Sequence, residues 1–248
     1  MRLTGRLRDF LRNVDRDSLV RWRPEFWFLV VILLIASGLW AFAELADEVM
    51  EGEVRTFDRL ILLALRTPGD LNDPVGPPWL EEMVRDFTSF GDLGVLTFIL
   101  LVAAGYLFLV GKKRTIVLMV TAILGGSLLS FFLKLGFDRP RPDLVAPQAE
   151  TLFSAFPSGH SLQAAAAYLI IGVILARTQP KAVLKIYLMG VAILLTLIVG
   201  LSRIYLGVHW PTDVLAGWTM GAVWALLCWL VATWLEHRGK LDREESDQ

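Results

Sequence analysis

The sequence predicts an all-α fold: a six-transmembrane-helix bundle with an N-terminal amphipathic interfacial helix and short outer interfacial helices. Three observations predict it. Of the 248 residues, 55% are hydrophobic, above the roughly 45–50% of soluble chains. The apolar residues fall into six runs, near 26–46, 93–110, 115–133, 161–177, 184–202 and 214–235, and each reaches or approaches the ~20 helical residues that cross a bilayer. The charges between the runs alternate in sign.

Residues 1–25 hold seven arginines. Among them Leu3, Leu7, Phe10, Leu11 and Val14 recur at three- and four-residue steps, which places them on one helical face. A basic amphipathic helix of this kind lies on an anionic membrane surface. Its basic start followed by an apolar run imitates a signal peptide, but both parts are too long for one, so residues 26–46 are expected to be a retained first span.

The segment 44–92 carries twelve Asp and Glu against four Arg. Phe57, Leu60, Ile61 and Ala64 share a helical face, as do Leu80, Met83, Val84 and Phe87. The intervening TPGDLNDPVGPP is rich in turn formers and is not expected to be helical. Two short interfacial helices joined by a loop are predicted, with Trp79 at headgroup level. This outer segment either covers the loops beside it or guides a substrate.

The remaining links complete the topology. GKKR at 111–114, the stretch 177–185 and the tail with Arg238, Lys240 and Arg243 are basic. The positive-inside rule puts them and both termini in the cytoplasm. Segments 44–92, 134–160 and 202–213 then face outward. The expected organisation is 1–25 as the cytoplasmic-face helix, 26–235 as the six-span domain and 236–248 as a cytoplasmic tail. Cys228, the single cysteine, excludes an intrachain disulfide and a multi-cysteine metal site; inside the last run it is expected to pack as a small apolar residue. A net charge of −1 gives no reason to expect a nucleic-acid partner.

Polar residues of the second half gather in KLGFDRPRPD (134–143), FPSGH (156–160) and SRIYLGVHWPTD (202–213). All three lie on the predicted outer side. Lys134, Arg141 and Arg203 are cations beside apolar helices, where charge must be paired or wetted. Asp138, Asp143 and Asp213 could neutralise them, which makes an ion-pair network one reading. The other is an anion site, made by three cations and the N–H groups of a helix start at Ser158, Gly159 and His160. Ser158 serves as helix cap, as phosphate donor, or as both. Asp213 follows His209 by four residues. On a helical turn the carboxylate would fix the imidazole tautomer and free the other nitrogen as a nucleophile. Pro211 permits a helix start there. His209 with Trp210 as interfacial anchors is the alternative.

Together these residues resemble the type 2 phosphatidic acid phosphatases, whose fold and site are shared with vanadium haloperoxidases. The family pattern is Lys-x6-Arg-Pro, then Pro-Ser-Gly-His, then Ser-Arg-x5-His-x3-Asp. Lys134 with Arg141-Pro142, Pro157-Ser158-Gly159-His160, and Ser202-Arg203, His209 and Asp213 match it without departure. The resemblance implies that His209 attacks phosphorus, Asp213 orients it and His160 protonates the leaving oxygen. It also implies that Lys134, Arg141, Arg203, Ser158 and Gly159 hold the phosphate. Neither a metal nor another cofactor is called for. The implied substrate is a membrane lipid phosphate: a phosphatidate, a phosphatidylglycerophosphate or a polyprenyl diphosphate, with a slight preference for the last or for broad lipid phosphate specificity. The implied setting is a bacterial plasma membrane, with the site on the periplasmic or extracellular side. Arg139 is left without a duty, and the oligomeric state is open. A vanadate-dependent haloperoxidase is the enzymatic rival, and a non-catalytic lipid-binding or transport protein is the other.

Overall fold

The computed structural model of the chain describes residues 24–143 and 154–239. The predicted amphipathic helix and most of the tail lie outside the described residues. Eight α-helices run in chain order: α1 (Pro24–Glu51), α2 (Arg55–Ala64), α3 (Pro78–Thr88), α4 (Leu93–Leu109), α5 (Lys113–Leu135), α6 (Gly159–Arg177), α7 (Ala182–Tyr205) and α8 (Pro211–His237). The all-α prediction holds, with one departure. The turn-rich stretch after α2 forms a small antiparallel hairpin of β1 (Arg66–Thr67) and β2 (Asp70–Pro74).

Five helices, α1 and α5 to α8, are long and apolar enough to span a membrane. A sixth span is reached if α3 with its short 3₁₀ turn (Ser89–Gly91) and α4, which meet at a bend of 59°, count as one broken span. Asp92 makes the bend, with extended φ −76° and ψ 145° between two helical segments.

Burial explains the composition of each span. In α6, 72% of the apolar window is buried, against 11% for α1 and 17% for α7. α6 is therefore the central helix, and the others present Leu, Ile and Phe outward, where the surroundings are as apolar as the core. A central helix needs small residues so that neighbours can approach, and α6 carries Ala164, Ala165, Ala166 and Ala167, all buried. α8 approaches α6 through Gly217 and Gly221. A Cβ at Gly217 would fall 2.7 Å from Ser158 O, and one at Gly221 would fall 2.6 Å from Leu162 O. The four-residue spacing puts both glycines on one face, as in small-xxx-small membrane packing. α7 and α5 pack on other sides of α6, α1 packs on α8, and α3 lies against α7. Indole N–H groups tie helices together: Trp224 Nε1 donates to Ala122 O at 2.7 Å, and Trp218 Nε1 to Thr196 O at 3.0 Å. Cys228 packs against the cluster of Leu107, Met119 and Ile170.

The shared apolar face of α2 points away from the bundle: Phe57 and Leu60 are exposed, as an interfacial helix allows, and the buried residues are Asp58 and Leu62. An apolar stripe marks a core face only when water is the alternative. Beside a bundle in lipid, the stripe can face outward and the polar side inward.

Candidate active site

The helix order brings the three motifs to one end of the bundle. Lys134 is in the last turn of α5, His160 in the first turn of α6, Arg203 in the last turn of α7 and Asp213 in the first turn of α8. Cations at helix C-termini and a carboxylate at an N-terminus also suit the helix dipoles. Direct contacts join the segments. Ser158 N donates to Asp213 O at 2.9 Å, Arg141 Nη1 to Val208 O at 3.3 Å and Trp210 Nε1 to Pro140 O at 2.9 Å. Phe137 and Phe156 pack edge-on at 4.8 Å, and Phe42 of α1 stacks on Phe156 at 5.7 Å. This aromatic cluster fixes the loops on either side of the undescribed 144–153.

His209 sits in the link before α8 and is 1% exposed. Its Nδ1 donates to Asp213 Oδ2 at 3.3 Å. The pairing arises differently from the predicted helical turn. His209 precedes the cap residue Trp210, and Asp213 bends back from the third helical position, where Oδ2 also accepts Trp210 N at 3.0 Å. A carboxylate on Nδ1 fixes the proton there and leaves Nε2 as the basic nitrogen. Burial comes first, then the charges of Arg203, Arg141, Lys134 and His160. Together they hold the His209 imidazole well below its ordinary value. The ring is therefore neutral at neutral pH.

Ser158 caps α6, accepting Ser161 N at 3.4 Å and Ser161 Oγ at 2.9 Å. Next to it, a Cβ on Gly159 would lie 3.1 Å from Lys134 Nζ, so glycine lets the lysine close over the helix start. His160 Nε2 pairs with Asp92 Oδ1 at 2.8 Å. Arg203 is buried and donates to Thr88 Oγ1 at 3.5 Å. All eight sequence-predicted site residues thus belong to one cluster.

Three participants were not predicted. Asp92, at the α3–α4 bend, spends its carboxylate on His160 rather than on its own helix. An Asp just before an apolar run is legible as a cap, but not as a partner for a histidine 68 residues away. Arg139 donates from Nη1 to Asp213 Oδ1 and Thr212 Oγ1, and from Nη2 to Asp58 Oδ2. Of the carboxylates named as possible neutralisers of Lys134, Arg141 and Arg203, Asp213 takes Arg139. Asp58, fully buried, is the third.

Comparisons with known proteins place the chain in a family. Residues 115–236 match the PAP2 superfamily. The chain is 35% identical over 147 residues to phosphatidylglycerophosphatase B of Bacillus subtilis, covering 58% of this chain and 71% of that protein. An undecaprenyl-diphosphatase of Sulfolobus acidocaldarius is 36% identical over 86 residues, 35% of this chain and 37% of that one. The crystal structure of a transmembrane PAP2 type phosphatidylglycerolphosphate phosphatase from Bacillus subtilis superposes with a TM-score of 0.71 at 29% identity. That superposition covers 84% of this chain and 98% of that chain. By matched region, by identity and by shared transmembrane fold, the chain belongs to the PAP2 superfamily, as a membrane-embedded phosphatase of that family.

Proposed function

We propose that this phosphatase hydrolyses a phosphomonoester or diphosphate of a membrane lipid on the outer face of the membrane, through a phosphohistidine on His209. The observation that carries the proposal is the buried His209, bonded through Nδ1 to Asp213 at the end of the bundle where Lys134, His160 and Arg203 close or open their helices.

The Nε2 lone pair of His209 forms the N–P bond as the P–O bond to the lipid breaks. His160 gives its proton to the departing oxygen. Asp92 accepts from Nε2 of His160 and so orients the ring, and the proton passed to the departing oxygen is the one on Nδ1. The three cations, with the Ser158 hydroxyl and the Gly159 N–H, stabilise charge on the non-bridging oxygens; this is the dominant contribution to phosphoryl transfer. Water then attacks phosphorus, His160 takes its proton, the P–N bond breaks and phosphate leaves. This assignment gives charge neutralisation to side chains rather than to a metal.

A phosphate held at the end of a bundle whose flanks are apolar suits an amphiphile, with its tail among lipid chains and its headgroup at the helix ends. The relatives named above act on phosphatidylglycerophosphate and undecaprenyl diphosphate, which are the first two substrates to test. Purified protein in detergent should release phosphate from these lipids, and H209A and H160A should abolish release while remaining folded. Wild-type turnover in either variant contradicts the assignment.

A further inference from the structure

We propose that Arg139 and Asp58 are positioning residues for the nucleophile: Asp58 of α2 clamps Arg139, and Arg139 occupies one oxygen of Asp213 so that the other is reserved for His209. The inference rests on the role given to His209 above and extends it to the outer segment.

The bonding pattern carries it. Asp213 divides its two oxygens. Oδ2 accepts His209 Nδ1 at 3.3 Å and Trp210 N at 3.0 Å, while Oδ1 takes the Arg139 guanidinium. A carboxylate held on one side only can rotate about its last bond, and its partner histidine then loses its orientation. Arg139 removes that freedom. Its own position is fixed from several directions. Nη2 meets Asp58 Oδ2 at 2.6 Å, Nη1 meets Thr212 Oγ1 at 2.8 Å, and the guanidinium lies over the Trp210 ring at 5.6 Å. Its backbone joins the segment leading into Pro-Ser-Gly-His: Arg139 N donates to Ser154 Oγ at 3.1 Å, and Ala155 N donates to Arg139 O at 2.9 Å.

Asp58 is fixed in turn. It accepts Thr212 N at 3.0 Å and Thr212 Oγ1 at 2.6 Å. It therefore caps from outside a first-turn N–H of α8, a donor that has no partner within its own helix. The fork is specific to arginine, because one planar group must meet carboxylates on two sides; a lysine ammonium is a point charge without that reach. Asp58, Arg139 and Asp213 are each at least nine-tenths buried, so removing one member leaves the others in low dielectric without their partner. α2 thereby becomes part of the site, more than a cover over it.

The charges facing the His209–Asp213 pair are Lys134 from α5, His160 from α6, Arg203 from α7, Arg141 and Arg139 from the loop after α5, and Asp58 from α2. Losing the Arg139 charge makes protonation of the pair easier, so the acid limb of kcat should move to higher pH. Losing the Asp58 charge should move it the other way.

The test uses the full-length protein in detergent with whichever of phosphatidylglycerophosphate and undecaprenyl diphosphate the wild type hydrolyses faster. R139M is expected to lower kcat at least tenfold, to change KM by less than about threefold and to raise the acid limb by about one pH unit. D58N should lower kcat by a smaller factor and shift the limb downward. In a D213N background, R139M should cost less than about twofold, because Arg139 acts through Asp213. A folded R139M with wild-type kcat and pH profile overturns the proposal. So does a further tenfold loss on top of D213N, which would mean an independent role. If R139M does not fold, D58N decides: a wild-type rate and profile in D58N overturns the proposal equally. H209A separates the two levels. An active H209A refutes the nucleophile itself, whereas an inactive H209A with a normal R139M refutes only the clamp.

Discussion

Gly217 offers a direct way to separate the two halves of the site without touching either. It lies on α8 where that helix meets the start of α6, and a Cβ there would stand 2.7 Å from Ser158 O, 2.9 Å from Ser161 Cβ and 3.1 Å from Leu162 N. Two of these atoms are backbone, so no side chain can swing away. Ordinary contact begins at 3.4 Å. G217A must therefore push α8 from α6 by about 0.7 Å, the difference between 3.4 and 2.7 Å. Overpacking of this kind costs about 1–3 kcal/mol of stability. The same displacement moves His209 and Asp213, on the α8 side, away from His160 and Ser158, on the α6 side. A 1 Å misplacement of reacting groups costs of the order of 10²-fold, so a shift of this size should lower kcat by tenfold or more. The assay is phosphate release over a substrate series, with thermal unfolding measured in the same detergent. G105A is the control: Gly105 is in α4 and a Cβ there meets nothing within 4 Å, so the rate should stay at wild type and the unfolding temperature should not fall. A G217A protein with unchanged kcat and unfolding temperature would refute the claim that close α6–α8 packing sets the geometry of the site.

Other consequences are as direct. D92N should lower kcat by about tenfold or more, the scale of a disturbed general acid, and a wild-type rate would remove Asp92 from the mechanism. Because burial and nearby cations hold His209 below its ordinary value, the acid limb of activity should lie below pH ~6.5; a midpoint at or above that value contradicts the assignment. The sign for stability follows from the same shift. Between the folded value and ~6.5 the unfolded chain binds a proton that native His209 refuses, so stability should fall as pH drops through that window, and H209N should flatten this fall. Chelators should leave turnover unchanged, and loss of activity reversed by an added divalent ion would contradict the all-side-chain phosphate site.

The spans were legible because a bilayer demands length and apolarity without asking which face is buried. The predicted 161–177 and 184–202 became Gly159–Arg177 and Ala182–Tyr205. The caps were legible too: Ser158 starts α6, and Pro211 starts α8. The inward side of α2 was not. Phe57 and Leu60 mark its apolar face, but no periodicity marks the neighbouring Asp58 as the buried member of that turn. The eight motif residues could be read because their spacing is fixed within short segments. Arg139 could not be given a duty, since its partners Asp58 and Asp213 lie 81 and 74 residues away. No periodicity records such a distance; only the packing of α2 against α8 creates it.

The central claim is that His209 Nε2 becomes covalently bonded to phosphorus. Rapid mixing of the protein with lipid bearing radiolabelled phosphate, followed by an alkaline quench and peptide mapping, tests it directly. Acid-labile, base-stable label on the peptide containing His209, absent from H209A and accumulating when breakdown is slowed, is the predicted result. Turnover with no label on His209 at any time, or label on another residue, would contradict it.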